Sequence, residues 1–269
     1  MKEFKIIKDK SWIIGIKNEY ENKKFLDKIK GLFLNPIIEK DRFPSRGVKP
    51  VFSFKYNDEE FIFRFYQHGG FIKKIFKDIF FFNLALKEIR IIEELKTKKF
   101  LTYEPVGFIS RRYFKVLFRT ALVTKRMLGY ESLLTYLKDK KSLRRKEIIE
   151  RLINVLENLY KLNLYHNDLN VKNLLINPKD FTICIIDWKK CSLKNKISLK
   201  GKIRNITRLA RSLEKNGIKI NDRLKMRFFL RFIKRFGVSN HKRKRLMRLC
   251  KRNFYLHRLT WHKQEEKAV

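Results

Sequence analysis

The hydrophobic pattern of this chain changes its period once, and that change limits the folds open to it. Up to about Leu122, apolar and aromatic residues alternate with polar ones or crowd into short runs. From Lys125 onward they recur three and four residues apart. Alternation marks strands with one buried face, and the longer period marks helices. Val51–Lys55 and Phe61–Tyr66 are predicted strands, joined through the turn-like Asn57-Asp58-Glu59-Glu60. Leu84–Lys96 is predicted as a helix, because Leu84, Ile91 and Leu95 share a stripe and Ile92 lies beside it. Pro105 and Gly107 mark a connection before two aromatic-rich strands, Phe108–Tyr113 and Lys115–Val123. Beyond the break, Ser132–Lys138 and Lys146–Leu162 read as helices, followed by two short apolar runs, Asn173–Ile176 and Thr182–Ile186. Strands with one helix, then helices around a small hairpin, predict an α+β chain. Its β-rich N-terminal lobe, an antiparallel sheet, covers residues 1–123, and its mainly helical C-terminal lobe covers 124–269.

Charge is the second constraint. The 269 residues carry 66 Lys or Arg against 27 Asp or Glu, a formal net charge of +39. A chain this charged is disordered when its apolar content is low, but here 44% is hydrophobic and 24 residues are Phe, which is enough for a core. The charge calls for an anionic partner: nucleic acid, an acidic membrane surface or a phosphorylated substrate. It is also uneven, since residues 221–263 hold 15 Lys or Arg and one acid, Asp222. There Leu224, Phe228, Phe232, Ile233 and Phe236 recur at helical spacing among the cations, so this basic amphipathic tail docks either on the protein core or on an anionic membrane. No apolar run is long enough for a transmembrane helix, and the start MKEFKIIKDKSW lacks the pattern of a secretory signal. Cys184, Cys191 and Cys250 have neither metal spacing nor a CxxC and read as reduced thiols of a cytosolic protein.

The chemistry concentrates after the second C-terminal helix, in Tyr165-His166-Asn167-Asp168-Leu169-Asn170-Val171-Lys172-Asn173-Leu174-Leu175-Ile176, with Ile185-Ile186-Asp187-Trp188 following. Phosphoryl transfer requires a carboxylate to orient the attacking hydroxyl and oxygen ligands to hold Mg²⁺ on the phosphates. Asp168 suits the first role, and Asn173 and Asp187 suit the second; His166 is then a strut of the loop. Taken singly, each Asp or Asn is an ordinary loop residue bonding its own backbone. Together, a helix, an HxDLNxxN loop and a strand ending in Asp form a kinase-like pattern.

This loop and hairpin resemble those of the protein-kinase-like lipopolysaccharide kinases, most closely the Kdo (3-deoxy-D-manno-octulosonic acid) kinases. Upstream, Arg64-Phe65-Tyr66-Gln67-His68-Gly69-Gly70 is similar to the family's Arg-rich strand ending in Gly-Gly, and Lys87–Leu95 to its helix. Downstream, Arg208-Leu209-Ala210-Arg211-Ser212-Leu213 resembles its LARLLRSL-like segment, so the likeness covers roughly residues 42 to 215. The resemblance implies a two-lobed protein-kinase-like fold with ATP between the lobes, Asp168 as catalytic base, and Asn173 and Asp187 as Mg²⁺ ligands. It implies Glu88 as the acidic partner of a phosphate-binding cation. Arg64 stands where that cation is normally Lys, a role its fork of donors suits; Lys55 on the neighbouring strand is the alternative. Where a Gly-rich phosphate loop belongs, Arg42–Lys49 has one glycine, Gly47; Ser45 to Val48 either offer backbone donors to phosphate or form a plain turn. Asp187-Trp188-Lys189-Lys190 replaces Asp-Phe-Gly, and its two lysines either contact an anionic acceptor or stand solvated. Gly69-Gly70 is a backbone turn or, with Lys73 and Lys74, a meeting point for phosphate.

The implied activity is ATP-dependent phosphorylation of a sugar hydroxyl of the lipopolysaccharide inner core, the 4-hydroxyl of Kdo on a lipid A precursor. The enzyme would work as a peripheral protein on the cytoplasmic face of the bacterial inner membrane, with the glycolipid and the anionic membrane surface as partners. A core heptose kinase and a RIO-type atypical protein kinase are the neighbouring readings. A reading of another class is a nucleic-acid-binding protein with an inactive kinase-like lobe, whose Phe228, Phe232, Tyr255 and Trp261 would stack on bases. The intact Asp168, Asn173 and Asp187 set argues against it.

Overall fold

The computed structural model describes residues 3–35, 51–68, 78–113, 116–139, 145–218, 222–236, 239, 242–250, 252 and 255. Gly47, Gly69, Gly70, Lys73, Lys74 and Trp261 lie outside them. The chain divides into two compact units, Met1–Leu128 and Gly129–Val269.

The first unit runs β1 (Phe4–Asp9), β2 (Trp12–Lys17), α1 (Lys23–Leu34), β3 (Val51–Tyr56), β4 (Glu59–Phe65), β5 (Ile79–Phe80), α2 (Leu84–Thr97), β6 (Pro105–Tyr113) and β7 (Leu117–Lys125). The strands form one antiparallel sheet in the order β1-β2-β6-β7-β4-β3, with β5 added on β7. The β3–β4 hairpin closes on Asn57 and Asp58, whose φ values of 46° and 60° are both left-handed. Such a two-residue turn matches the twist of paired strands and favours Asn and Asp. It puts Phe54 opposite Phe61 and Phe52 opposite Phe63. These rings join Phe65, Ala121 and Val123 in a core against Phe25, Ile29, Leu32 and Phe33 of α1. Because side chains alternate, Arg64 falls on the opposite face, where it meets α2.

The expectation of a single helix in this unit is corrected by α1. Its Phe25, Leu26, Ile29, Leu32 and Phe33 have helical spacing, and Asn22 caps it by accepting the Phe25 N–H at 2.9 Å. The lysines and Gly31 spread among them disguised a stripe whose burial comes from the sheet. The N-terminal hairpin β1–β2 also extends the sheet beyond what the pattern announced. Gly15 on β2 is required by a close approach, since a Cβ there would lie 2.1 Å from the Phe108 ring.

The second unit contains β8 (Glu131–Ser132), α3 (Leu133–Asp139), α4 (Arg145–Lys161), β9 (Leu164–His166), β10 (Leu174–Ile176), β11 (Ile183–Ile185), β12 (Cys191–Leu193), α5 (Leu199–Lys215) and α6 (Asp222–Arg235). The β10–β11 hairpin is joined by β8, and β9 pairs with β12. Leu152, Ile153, Leu156 and Leu159 of α4 are buried. The α6 segment of the basic tail docks on this core: Phe229, Phe232 and Ile233 are buried, and Phe232 packs on the Tyr160 ring. Arg235 ties it further to Glu157 at 2.9 Å, while Arg223, Arg227 and Lys234 stay exposed.

Candidate active site

In the first unit, Arg64 on β4 donates from Nη2 to Oε1 of Glu88 on α2 at 2.9 Å. Glu88 is fully buried, and a buried carboxylate is tolerable only when its oxygens are satisfied. Tyr66 donates to Oε2 and Tyr103 to Oε1, so three donors from two segments converge on it. Burial, helped by the Glu88 charge, pushes the Tyr103 hydroxyl well above its usual range and keeps it a donor. The Arg64 guanidinium also lies 5.2 Å from the centre of the Tyr66 ring. Lys55, the alternative cation, is exposed and pairs across the hairpin with Glu60. Sequence reasoning missed the two tyrosines. The signal was present only as a question, namely what else would satisfy an acid placed on the inner face of a helix.

In the second unit, the loop after β9 folds around the backbone oxygen of Asp168. The side-chain amides of Asn170 and Asn173 both donate to it, at 3.0 and 2.9 Å. Asn170 also accepts the Lys172 N–H at 2.9 Å, shaping the short 3-10 turn Val171–Asn173. Leu169, Val171 and Leu174 anchor the loop in the core, and Ser212 of α5 accepts the Val171 N–H at 3.0 Å. The Arg208–Leu213 segment is thus a fastening for the loop. His166 is buried; its Nδ1 accepts the Asp168 N–H at 3.2 Å and its Nε2 faces the Ile186 carbonyl at 3.4 Å. The first bond makes Nδ1 the unprotonated nitrogen, so Nε2–H is the donor and the ring links the loop to the segment carrying Asp187.

That segment leaves β11 through Asp187, whose φ and ψ of 68° and 60° lie in the left-handed region. Asp visits this region at a cost of about 1–2 kcal/mol, which the packing of fully buried Trp188 and the Ile186 N–H bond to the Asn173 carbonyl at 2.9 Å help to hold. Of the two lysines that one expectation left solvated, Lys189 is buried and Lys190 is exposed, and each meets an acid. The Lys189 side chain is only 7% exposed, with Nζ 3.0 Å from Asp187 Oδ1, and Lys190 Nζ is 2.7 Å from Asp168 Oδ2. Arg208 stands 3.9 Å from the other Asp168 oxygen. Lys190 was read only as a contact for an anionic acceptor or a solvated charge, and Arg208 only as part of a family-like segment, because nothing in their spacing ties them to Asp168; the β9–β12 pairing and α5 do so.

The donor set suits a hard cation. Asn173 spends its amide nitrogen on Asp168, leaving Oδ1 as the atom it presents to a metal, and Asp187 already draws an ammonium. Among the described residues no group of three or more His, Cys, Asp and Glu forms a metal cluster of its own.

Sheet-rich and helical units of this kind, with an Arg–Glu pair between strand and helix and an HxDLNxxN loop before a strand-end Asp, define a protein-kinase-like α+β fold. The chain belongs to the lipopolysaccharide kinase (Kdo/WaaP) family, whose model matches residues 46–232. It is 29% identical over 162 residues to a 3-deoxy-D-manno-octulosonic acid kinase of Vibrio vulnificus strain YJ016, covering 58% of this chain and 66% of that protein. It is 28% identical over 159 residues to the enzyme of that name from Xylella fastidiosa strain M12, covering 57% and 61%. For the one from Pasteurella multocida strain Pm70 the figures are 24% over 157 residues, 56% and 64%. These matches take in just under two thirds of the relatives' own length. Among solved structures, WaaP in complex with acyl carrier protein shares the fold, with a TM-score of 0.56 and 12% identity over 85% of this chain and 92% of that one.

Proposed function

We propose that the chain is an ATP-dependent kinase that phosphorylates a sugar hydroxyl of the lipopolysaccharide inner core, the 4-hydroxyl of Kdo on a lipid A precursor. The observation that carries this reading is the Asp168 loop, in which two amides fix the backbone of an acid whose carboxylate remains accessible on one side. The relatives named Kdo kinases support the choice of acceptor over a heptose.

In this reading Asp168 accepts the proton of the acceptor hydroxyl at a carboxylate oxygen and aims the oxygen at the γ-phosphorus. Asn173 and Asp187 would hold Mg²⁺, which when bound neutralises charge on the phosphates. Arg64, held by Glu88, binds phosphate oxygens of ATP. Gly47 and its neighbours are the proposed backbone donors to phosphate. The Arg223, Arg227 and Lys234 side chains on α6 suit an anionic bilayer, and we place the protein peripherally on the cytoplasmic face of the inner membrane. Among the described residues no helix is long and apolar enough to cross a membrane.

The test is transfer of labelled γ-phosphate from Mg-ATP to Kdo-lipid A precursor, heptosylated core or a generic protein. Label is expected on the Kdo glycolipid, and Asp168→Asn should lower the rate by about 10²–10⁴-fold. Label on heptose alone would move the acceptor, and label on none would sink the enzyme reading.

A further inference from the structure

We propose that Lys190 supplies the cation that meets the transferring phosphoryl group beside Asp168. The inference rests on the kinase reading and adds a residue to it. Phosphoryl transfer spreads negative charge over the equatorial oxygens of the moving group, and a positioned cation next to the base stabilises that charge. Asn170, two residues on, is no cation and commits its amide to the Asp168 carbonyl and the Lys172 N–H. Lys189 is committed to Asp187 and buried. Lys190 has the required placement: its Nζ is 2.7 Å from Asp168 Oδ2 while its side chain is 54% exposed, so a substrate can reach it.

Its backbone is fixed independently. The Asn167 side-chain amide donates to the Lys190 carbonyl at 2.8 Å and the Asn167 N–H donates to it at 3.2 Å. The next residue, Cys191, is paired with His166 across β9 and β12. The strand pair therefore delivers the ammonium to the acid on the opposite side of the loop. An ammonium has three N–H donors; one serves Asp168, which leaves two for phosphoryl oxygens. In the step, the acceptor oxygen bonds to the γ-phosphorus. The bond from that phosphorus to the β,γ-bridging oxygen breaks with its electron pair leaving on ADP, and the hydroxyl proton passes to the Asp168 carboxylate. Lys190 moves its donors from Asp168 toward the phosphoryl group.

The experiment compares wild type, Lys190→Met and Lys190→Arg in two assays. With Mg-ATP and Kdo-lipid A precursor, Lys190→Met should lower kcat about 10²-fold with both KM values within about threefold of wild type, and Lys190→Arg should recover at least about tenfold of that loss. With Mg-ADP, affinity measured with and without fluoroaluminate should fall for Lys190→Met only in the fluoroaluminate complex, the mimic of the moving phosphoryl group. Unchanged kcat, a loss confined to the KM for the glycolipid, or equal loss in both ADP complexes would each overturn the proposal. The second assay needs no acceptor. If wild type transfers to no glycolipid but the fluoroaluminate difference persists, the acceptor reading fails while the role of Lys190 stands.

Discussion

Two acids of this protein, Glu88 and Asp168, are held in opposite ways. Glu88 is sealed in the first unit, with Arg64, Tyr66 and Tyr103 all donating to it. Asp168 sits at the surface of the second, its side chain 33% exposed, with Lys190 and Arg208 arriving from solvent-facing positions. A buried ion pair has no alternative partner, so its geometry is permanent. An exposed one exchanges its partner for water or substrate at little cost. The first arrangement is suited to holding a cation for a nucleotide that always binds the same way. The second is suited to groups that must let go of each other once per turnover.

The comparison breaks most visibly at Glu88. Glu88→Ala leaves the Arg64 guanidinium and two buried hydroxyls without their acceptor, and the expected loss is about 3–5 kcal/mol of stability. Urea unfolding followed by circular dichroism measures it. Glu88→Gln keeps the shape and one acceptor, and should fall between that value and wild type. Arg64→Lys retains the charge but not the forked donors; transfer should drop by about tenfold or more with a smaller stability loss than for Glu88→Ala. If Glu88→Ala unfolded at wild-type urea concentration, the over-determined site described for the first unit would be wrong.

The same contrast explains what could be read from the sequence. The β3–β4 hairpin, α2, α4 and the loop around Asp168 were legible because each is governed by local rules: alternation, helical spacing, turn residues and amide-to-backbone bonds. Arg64 and Glu88 could be paired because a strand residue and a helix residue of opposite charge fitted a family pattern. Tyr66 and Tyr103 could not, since their role depends on three segments, 22 and 15 residues from Glu88, meeting at one carboxylate. Helix α1 was hidden for a related reason: lysines and Gly31 lie between the residues of an apolar stripe that the Phe-rich sheet buries. Lys190 could be read only as a contact for an anionic acceptor or a solvated charge, and the β9–β12 pairing is what brings it to Asp168.

An intermediate case sharpens the comparison. Lys17 on β2 is buried, and its ammonium bonds Glu104, whose side chain is 34% exposed. Burial alone would raise the Glu104 carboxyl, but the hydrogen bond and charge of Lys17 outweigh it and leave the group below its ordinary 4.5. Burial likewise opposes the Lys17 charge, and Glu104 with Glu19 and Glu3 still raises it above 10.5. A lowered acid contributes stability above its unfolded value and loses it as pH falls through the folded one. A raised lysine contributes below its unfolded value and loses it as pH rises through the folded one. The pair is therefore fully effective between about 4.5 and 10.5, and its contribution should disappear at either side. Glu104→Gln should cost about 1–2 kcal/mol at neutral pH and flatten the acid limb of the stability profile. An acid limb unchanged by the substitution would assign it to other carboxylates.

The smallest expected effect is at the exposed pair, and it separates the two regions best. Lys190→Met removes a contact between side chains that are 54% and 33% exposed, and Arg208 still faces Asp168. Stability should change by no more than about 1 kcal/mol, because water replaces the lost partner on both sides. Adding salt should shrink even that difference, since charges this accessible are screened over about 8 Å at physiological ionic strength. Repeating the urea series at low and high salt should leave the Glu88→Ala loss nearly unchanged, because Glu88 is fully buried and a pair so placed is screened much less than an exposed one. A salt-insensitive stability loss at Lys190 comparable to that at Glu88 would mean that the Asp168 pair is a fixed part of the fold. It could then not release to meet a phosphoryl group, and the functional contrast between the two acids would collapse.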